Sequence, residues 1–305
     1  MDQLQSLRVY VAVAEEAGFA AASRRLQMSP PAVTRAVAAL ESHLGVKLLN
    51  RTTRNVRVTE AGSRYLEDAR QVLARLAAAD EAAQGVNAQP RGRLALTAPV
   101  LFGQRFVMPG VVDYLERYPD TSVDALFLDR RVNLVEEGID VGVRIGELPD
   151  SSMRALRVGS VRMLVLASPA YLNNHGEPQH PQDLREHCLI ASRAGDFSLA
   201  WRFNPALVEH PLRIEPRLSA TTNDAVLGAA TQGFGIARVL SYQAAAQLAN
   251  GELQVVLSEY EPAPLPVHIV HREERFAATR VRAFIDLLAE RLRAEPALGG
   301  SSPSG

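Results

Sequence analysis

Residues 19–62 read FAAASRRLQMSPPAVTRAVAALESHLGVKLLNRTTRNVRVTEAG, and the fold turns on this stretch. A short helix is predicted over Ala20–Leu26, a turn at Gln27-Met28, and a second helix from Ser29-Pro30 to about Leu44. Serine is a favoured N-cap and proline a favoured first helical residue, so Ser29-Pro30 marks the start. Gly45 marks the end, because glycine accepts the left-handed conformation that closes many helices. Val33, Val37, Leu40 and Leu44 form the apolar stripe that packs inward, and Pro31, Thr34, Arg35 and Ala38 stay outside. Residues 46–58 follow as a small β-hairpin with Arg51-Thr52-Thr53-Arg54-Asn55 at its tip.

Two short helices around a tight turn, the second well capped, make a helix-turn-helix. Its second helix enters the major groove with its N-terminal residues toward base edges. Ser29, Pro30 and Pro31 stand at that end. Ser29 and free N–H groups of the helix start are expected to hold a phosphate. Thr34 and Arg35 reach bases, and arginine favours guanine. Arg51, Thr52, Thr53 and Arg54 form a basic, hydroxyl-flanked wing suited to phosphate or the minor groove. The alternative is that these arginines are solvated surface.

On both sides of this stretch the chain continues in the same sense. Upstream, Leu4, Leu7, Val11 and Ala14 repeat at helical spacing over residues 2–16. Downstream, Thr59 is a suitable N-cap for a long helix from Glu60 to about Asn87. Leu66, Ala69, Leu73, Leu76, Asp80 and Ala83 alternate at three and four residues, the spacing of a heptad seam. The seam is expected to pair two chains rather than pack on its own domain. Residues 1–65 carry nine Lys/Arg against five acids, so the remainder carries –5 of a net charge of –1. A basic head on an acidic body places the polyanion at the head.

From Gln89-Pro90-Arg91-Gly92 onward the pattern becomes strands alternating with helices. Strands are predicted at Leu94–Ala98, Ser122–Leu128, Val141–Ile145, Val161–Ala167, Gly235–Val239 and Val267–His271. Helices are predicted at Phe102–Tyr118, near Asn133–Glu137, and at Asn223–Gln232, Ser241–Asn250 and Ala277–Ala294. Such alternation argues for parallel α/β sheets. Ligands of such sheets gather beyond the C-terminal strand ends. The candidate effector residues are therefore Pro99, Val100, Leu101 and Phe102, then Asp129, Arg144, Thr222 and Asn223, with Phe197 and Trp201 as aromatic lining. Arg144 pairs either with a ligand carboxylate or with Asp129 or Glu147. Helix N-termini at a cleft favour anions, which points to a small organic acid.

Other chemistries find little support. Gly233-x-Gly235 follows a helix, not a strand, so it marks a tight turn rather than a dinucleotide site. His268 and His271 lie three apart on a predicted strand and face opposite sides. Cys188, the single cysteine, permits no internal disulfide and reads as a small core residue. No G-x-S-x-G, H-E-x-x-H or P-loop occurs. No catalytic residue, metal or cofactor is assigned. The chain has no export-signal pattern and no apolar run long enough for a membrane helix, which reads as cytoplasmic.

The segment 19–62 resembles the DNA-binding region of LysR-type transcriptional regulators. The likeness lies in Ala-Ala-Ser-Arg-Arg-Leu of the first helix and Ser-x-x-Ala-Val of the second. It extends to Leu40-Glu41, Gly45, Leu48-Leu49-Asn50-Arg51 and Thr59-Glu60-Ala61-Gly62. It continues through DRRVNLVEEGIDVGVRIGELPDSS, ASPAYL and GAATQGFGIARV, covering residues 2–294. One departure stands out: many members have Gln after the capping Ser, where this chain has Pro30, so a base contact is lost.

The resemblance implies a winged helix-turn-helix at 1–58, a linker and dimerisation helix at 59–88 and an effector-binding domain at 91–294. That domain comprises two Rossmann-like lobes, lobe one being 91–165 plus 270–294 and lobe two 166–269. A disordered tail follows at 295–305. The implied partners are double-stranded DNA, a small molecule between the lobes, further copies of the chain as a dimer of dimers, and RNA polymerase. The rival readings are a solute-binding protein or an enzyme built on the two-lobed domain.

Overall fold

The computed structural model describes residues 2–51, 56–84, 89–148, 153–194, 199–272 and 279–299, with the side chains of 51, 74, 75 and 77–84 excepted. Thr52, Thr53, Arg54 and Phe197 lie outside the described residues, as do the side chains of Arg51 and Ala83. The chain divides into two compact units, with the boundary in sequence between 88 and 89.

The first unit opens with α1 (Gln3–Glu15), α2 (Phe19–Arg25) and α3 (Pro30–Leu44). Val9, Tyr10, Val13, Ala22, Val33, Val37, Leu40 and Leu48 form its buried core. Gly45 ends α3 with φ 68°, the left-handed geometry that a side chain would strain. Two short antiparallel strands follow, β1 (Leu49–Arg51) and β2 (Val56–Val58). Thr59 Oγ1 then accepts from Gly62 N at 2.9 Å and starts α4 (Glu60–Gln84). Gly62 is required here: a Cβ would stand 2.1 Å from the Leu48 carbonyl oxygen. Its own carbonyl accepts from the Tyr10 hydroxyl at 2.8 Å, tying the base of α4 to α1.

The second unit contains two five-stranded sheets. Lobe one carries β3 (Gly92–Ala98), β4 (Thr121–Phe127), β5 (Val141–Ile145), β6 (Met153–Val161) and, returning late in the chain, β14 (Leu265–Arg272). Their spatial order is β4-β3-β5-β14-β6. Lobe two carries β7 (Met163–Ala167), β8 (Leu189–Ser192), β11 (Leu218–Ala220), β12 (Ile236–Leu240) and β13 (Gln254–Val256), in the order β11-β8-β12-β7-β13. A small hairpin, β9 (Ala200–Trp201) with β10 (Leu212–Arg213), lies beside it.

Both sheets are mixed, not purely parallel. β14 runs antiparallel to β5 and β6, and β12 antiparallel to β7. The reason is topological: the strand that leaves lobe one and the strand that returns to it lie side by side and run in opposite directions. The predicted strand Val161–Ala167 is in fact divided at Arg162 between the two sheets. The lobe boundaries move accordingly, from 165/166 to Arg162 and from 269/270 to the segment before Leu265. Residues 134–138 form turns rather than the predicted helix near Asn133–Glu137.

In lobe one, α5 (Val100–Phe102) passes through a π turn, Gly103–Val107, into α6 (Met108–Arg117). Gly103 lies so close to the Phe127 ring that a Cβ would stand 2.3 Å from it. Lobe two contributes α7 (Pro169–His175), α8 (Asn223–Thr231) and α9 (Ala245–Ala249). α9 is shorter than predicted because Ser241–Gln243 forms a turn, Gln243 N donating to the Leu240 carbonyl at 2.9 Å. The closing helix α10 (Thr279–Ala294) buries Phe284 edge-on against Tyr114, with ring centroids 5.3 Å apart. Residues 295–299 do not form part of a disordered tail. Pro296–Leu298 makes a 3-10 turn, Leu298 is buried, and Gly299 bridges to Ser160.

Candidate nucleic-acid interface and effector cleft

The α3 helix of the first unit divides into two faces. Val33, Ala36, Val37 and Leu40 are fully buried. Ser29, Pro30, Pro31, Arg35 and Ala38 are exposed, and Thr34 is half-buried. The inward stripe and the outward set match the sequence pattern.

The start of α3 differs from expectation in its chemistry. Ser29 occupies the N-cap position, yet its side chain makes no capping bond. Pro30 and Pro31 have no N–H to offer. Ala32 N and Val33 N both donate to the Ser29 carbonyl, at 2.9 and 3.1 Å. Val33 N makes the ordinary helical bond, so of the four N–H groups that a helix start leaves free, two are lost to proline, Ala32 N is taken up, and Ser29 N remains. The Ser29 hydroxyl makes no cap bond and stays available as well.

Glu41 positions the entry to the hairpin. It is buried, 5% exposed, and its Oε1 accepts from Leu48 N at 3.0 Å and Leu49 N at 3.1 Å. Its Oε2 accepts from Lys47 Nζ at 2.6 Å. Burial alone would raise its pKa. The Lys47 ammonium and the two amides outweigh burial and hold the carboxyl below the usual glutamate value. On the neighbouring helices, Glu15 joins Arg25 at 2.8 Å and Arg70 at 3.1 Å, linking α1, α2 and α4.

The proposed seam on α4 is only partly open. Leu66 packs against the core of its own unit, and Ala69 is 1% exposed within a single chain. Ala69 is thus covered within its own unit, a correction to the seam at that position, whereas Leu66 stays half-buried. Farther along, Leu73 and Leu76 are half-buried and Val72 is 47% exposed. Gln3, Leu4, Leu7, Tyr65, Asp68, Ala69 and Val72 line a groove between α1 and α4. Val72 was missing from the predicted seam because a strict heptad skips it.

In the second unit, Pro99–Phe102, Asp129, Arg144, Thr222 and Asn223 do lie at or just beyond strand ends. Asp129 Oδ1 accepts from Val100 N at 3.0 Å, so the start of α5 is already met by a carboxylate of this chain. Phe102 is fully buried. Its ring meets Tyr242 of lobe two edge-on, with centroids 5.3 Å apart, and Phe106 meets the same ring at 5.8 Å. Arg105 Nη1 donates to the Tyr242 carbonyl at 3.1 Å. Tyr242 thus bridges the lobes beside the strand ends. Burial, and to a lesser degree the nearby Asp129, raise its pKa.

Arg144 is half-buried and donates through Nη2 to the Val132 carbonyl. It also lies close enough to Glu137 to help lower that carboxyl, after the larger effect of Arg130. A ligand carboxylate, Asp129 and Glu147 were the expected partners; the Val132 carbonyl, which anchors the preceding loop, is a further one. Thr222 is the N-cap of α8: its Oγ1 accepts from Ala225 N at 3.4 Å. Trp201 is a core side chain of lobe two. It is 5% exposed and belongs to the lobe-two core with Phe203 and Leu212. The Arg238 guanidinium lies over both rings, 5.7 Å from Trp201 and 5.5 Å from Phe203, and burial lowers its pKa to about 10. Arg105 and Tyr242 carry no periodic or motif signal, so sequence reasoning passed over them; Arg238 lies within the stretch GAATQGFGIARV but was given no role there.

A helix-turn-helix head with an exposed recognition face, followed by a two-lobed α/β domain, defines a DNA-binding transcription regulator. Comparison with known proteins gives the family. Residues 4–63 match the bacterial regulatory helix-turn-helix protein, lysR family, and residues 87–293 match the LysR substrate binding domain. The chain belongs to the LysR family of bacterial transcription regulators. It is 33% identical over 290 residues to the HTH-type transcriptional regulator CrgA of Neisseria meningitidis, covering 94% of this chain and 96% of that one. The solved structure of CrgA superposes with a TM-score of 0.60 at 31% identity, covering 94% and 98% of the two chains. That of AphB, a full-length virulence activator of Vibrio cholerae, gives 0.61 at 28% identity and covers 95% and 99%. The family is one of regulators, not an enzyme class. No helix among the described residues is long and apolar enough to cross a membrane.

Proposed function

We propose that this regulator works in the cytoplasm as a dimer of dimers, docking α3 in the major groove and answering to a small organic acid held between its lobes. The observation that carries the DNA contact is the division of α3: Ser29, Pro30, Pro31 and Arg35 stand exposed on a helix whose opposite face is buried. Thr34 and Arg35 meet base edges. Arg51, Thr52, Thr53 and Arg54 of the wing meet the sugar-phosphate backbone. A second copy pairs along α4 through Val72, Leu73 and Leu76, with Ala83 farther along. RNA polymerase is the partner through which such a complex acts.

Asp129 already meets the start of α5, so an acid is left to Arg144 in lobe one and to Thr222 and Asn223 at the start of α8. Arginine pairs with carboxylates through charge-assisted bonds. Thermal melts of the full chain across a panel of small carboxylic acids and matched neutral amides test the ligand class. Stabilisation by an acid, and its loss in Arg144→Ala with DNA binding intact, is the expected result. Stabilisation by amides alone removes the acid reading.

A further inference from the structure

We infer that Arg238 of lobe two anchors an oxyanion, the carboxylate or phosphate group of a small ligand, at a site of its own beside Trp201 and Phe203. The site lies in the other lobe from Arg144 and stands or falls apart from it. A buried guanidinium without a counter-charge costs free energy, and folds ordinarily supply an acid. Arg162 has Glu261 in this way. Arg238 has no such acid among the described residues: burial alone accounts for its lowered pKa, with no carboxylate opposing it. Its Nε is shut off from solvent and meets no acceptor. Its Nη2 donates to the Arg202 carbonyl at the surface, the one hydrogen bond that the side chain makes among the described residues.

The strand itself gives no reason for a charge there. β12 reads Ile236-Ala237-Arg238-Val239-Leu240, and alternate residues of a strand share a face. Ala237 and Val239 pack into one apolar cluster of the lobe-two sheet. Ile236 packs into the other, with Trp201, Phe203, Leu212 and Ile214. Arg238 shares the face of Ile236, where packing alone would place an aliphatic side chain. Its guanidinium lies over Trp201 and Phe203, and the two rings attract the cation. Stacking fixes the orientation of the side chain but leaves the charge whole, and a methionine would fill the same space without burying one. Most N–H donors of the guanidinium stay unpaired, in the planar fork that carboxylates and phosphates fit with two bonds. With its head held against two core aromatics, that fork loses little freedom on binding.

Thermal melts of the full chain at fixed ionic strength test this, with chloride exchanged in turn for acetate, benzoate, succinate and phosphate. At least one of these anions should raise the melting temperature saturably, and that shift should survive Arg144→Ala. Whether a carboxylate or phosphate is the effective anion tells which group is held. Arg238→Met should weaken its binding by roughly tenfold or more. The same variant should melt in chloride no lower than the unsubstituted chain, because removing an uncompensated charge relieves its burial cost. Arg238→Lys keeps the charge without the fork and should bind with intermediate affinity. Absence of a saturable shift with every anion overturns the inference. So does a shift unchanged in Arg238→Met, or one lost in both Arg144→Ala and Arg238→Met, which would make the two arginines one site. An Arg238→Met chain that melts lower in chloride, or does not fold, assigns the guanidinium to the fold and overturns the inference as well. A shift lost in Arg144→Ala alone supports the acid site at that residue and leaves none at Arg238.

Discussion

Arg162 and Glu261 form a two-point ion pair that joins the two crossings between the lobes. Nε meets Oε2 at 2.8 Å and Nη2 meets Oε1 at 2.7 Å. Arg162 separates β6 from β7, and Glu261 lies between β13 and β14. Ser241 reinforces the junction, donating its N–H to the Arg162 carbonyl at 2.8 Å and accepting from Arg162 N at 3.1 Å. The side chains are 18% and 13% exposed, so water screens the pair weakly. Breaking such a pair leaves an uncompensated charge and costs about 3–5 kcal/mol when fully buried, somewhat less here. Glu261→Ala should destabilise the two-lobed unit by roughly 2–4 kcal/mol. Denaturant melts of the full chain measure it; a change below about 0.5 kcal/mol, the size of an exposed pair, would mean that the crossings are held elsewhere.

Tyr242 should act through its ring and not its hydroxyl. The ring is wedged against Phe102 and Phe106, whereas the hydroxyl receives only a 3.4 Å bond from Gln243 Nε2. Tyr242→Phe is therefore expected to melt close to the unsubstituted protein. Tyr242→Ala should lose about 3 kcal/mol, in line with aromatic truncations in cores. Equal effects of the two substitutions would assign the role to the hydroxyl.

Glu41 gives the DNA-binding head a dependence on acid. Its carboxyl is held below its unfolded value, so the stabilisation is complete above that unfolded value, about 4.3. It is lost as pH falls through and below that point, where protonation weakens the bonds to Leu48 N, Leu49 N and Lys47. Glu41→Ala should remove this dependence and cost about 2–4 kcal/mol, because two buried amides lose their acceptor. Melts of the head, followed by exchange of the Leu48 and Leu49 amides between pH 7 and 3, check both statements. A Glu41→Ala chain with the same acid profile would place the dependence elsewhere.

The α4 seam should respond to charge in its open half. Val72→Asp, Leu73→Asp or Leu76→Asp puts a carboxylate where a second copy packs. Sedimentation velocity should show smaller species than the unsubstituted chain. Unchanged size with the fold intact would mean that α4 is not an interface.

Much of the first unit was legible because its signals are local. Ser29-Pro30 and Gly45 punctuate α3, and helical periodicity selects Val33, Val37 and Leu40 as core. The loss of N–H groups at the start of α3 follows from its two consecutive prolines, yet the sequence reading expected free groups there. The second unit was legible only as alternation. Its mixed sheets depend on where β14 returns, and pairing partners 100 residues apart leave no periodic trace; Leu265 pairs with Val161, for example. The break at Arg162 is marked in sequence only by the arginine between Val161 and Met163, and its backbone partners come from distant Ser241. Trp201 was offered as aromatic lining, although an isolated aromatic is more often core, and its neighbours place it there. Leu66 and Ala69 fit the seam pattern, yet Ala69 is covered within its own unit.

The central claim is that residues 1–88 hold the DNA-reading surface and that Arg35 reads a base from it. Binding of one enriched duplex, and of variants with each guanine of its half-site replaced, tests this for the full chain, for Arg35→Ala and for residues 89–305. The account predicts specific, salt-sensitive binding by the full chain. Arg35→Ala should lose about 1–3 kcal/mol and become indifferent to one guanine. Residues 89–305 should not bind specifically. Retention of the same specific binding by residues 89–305 would contradict it.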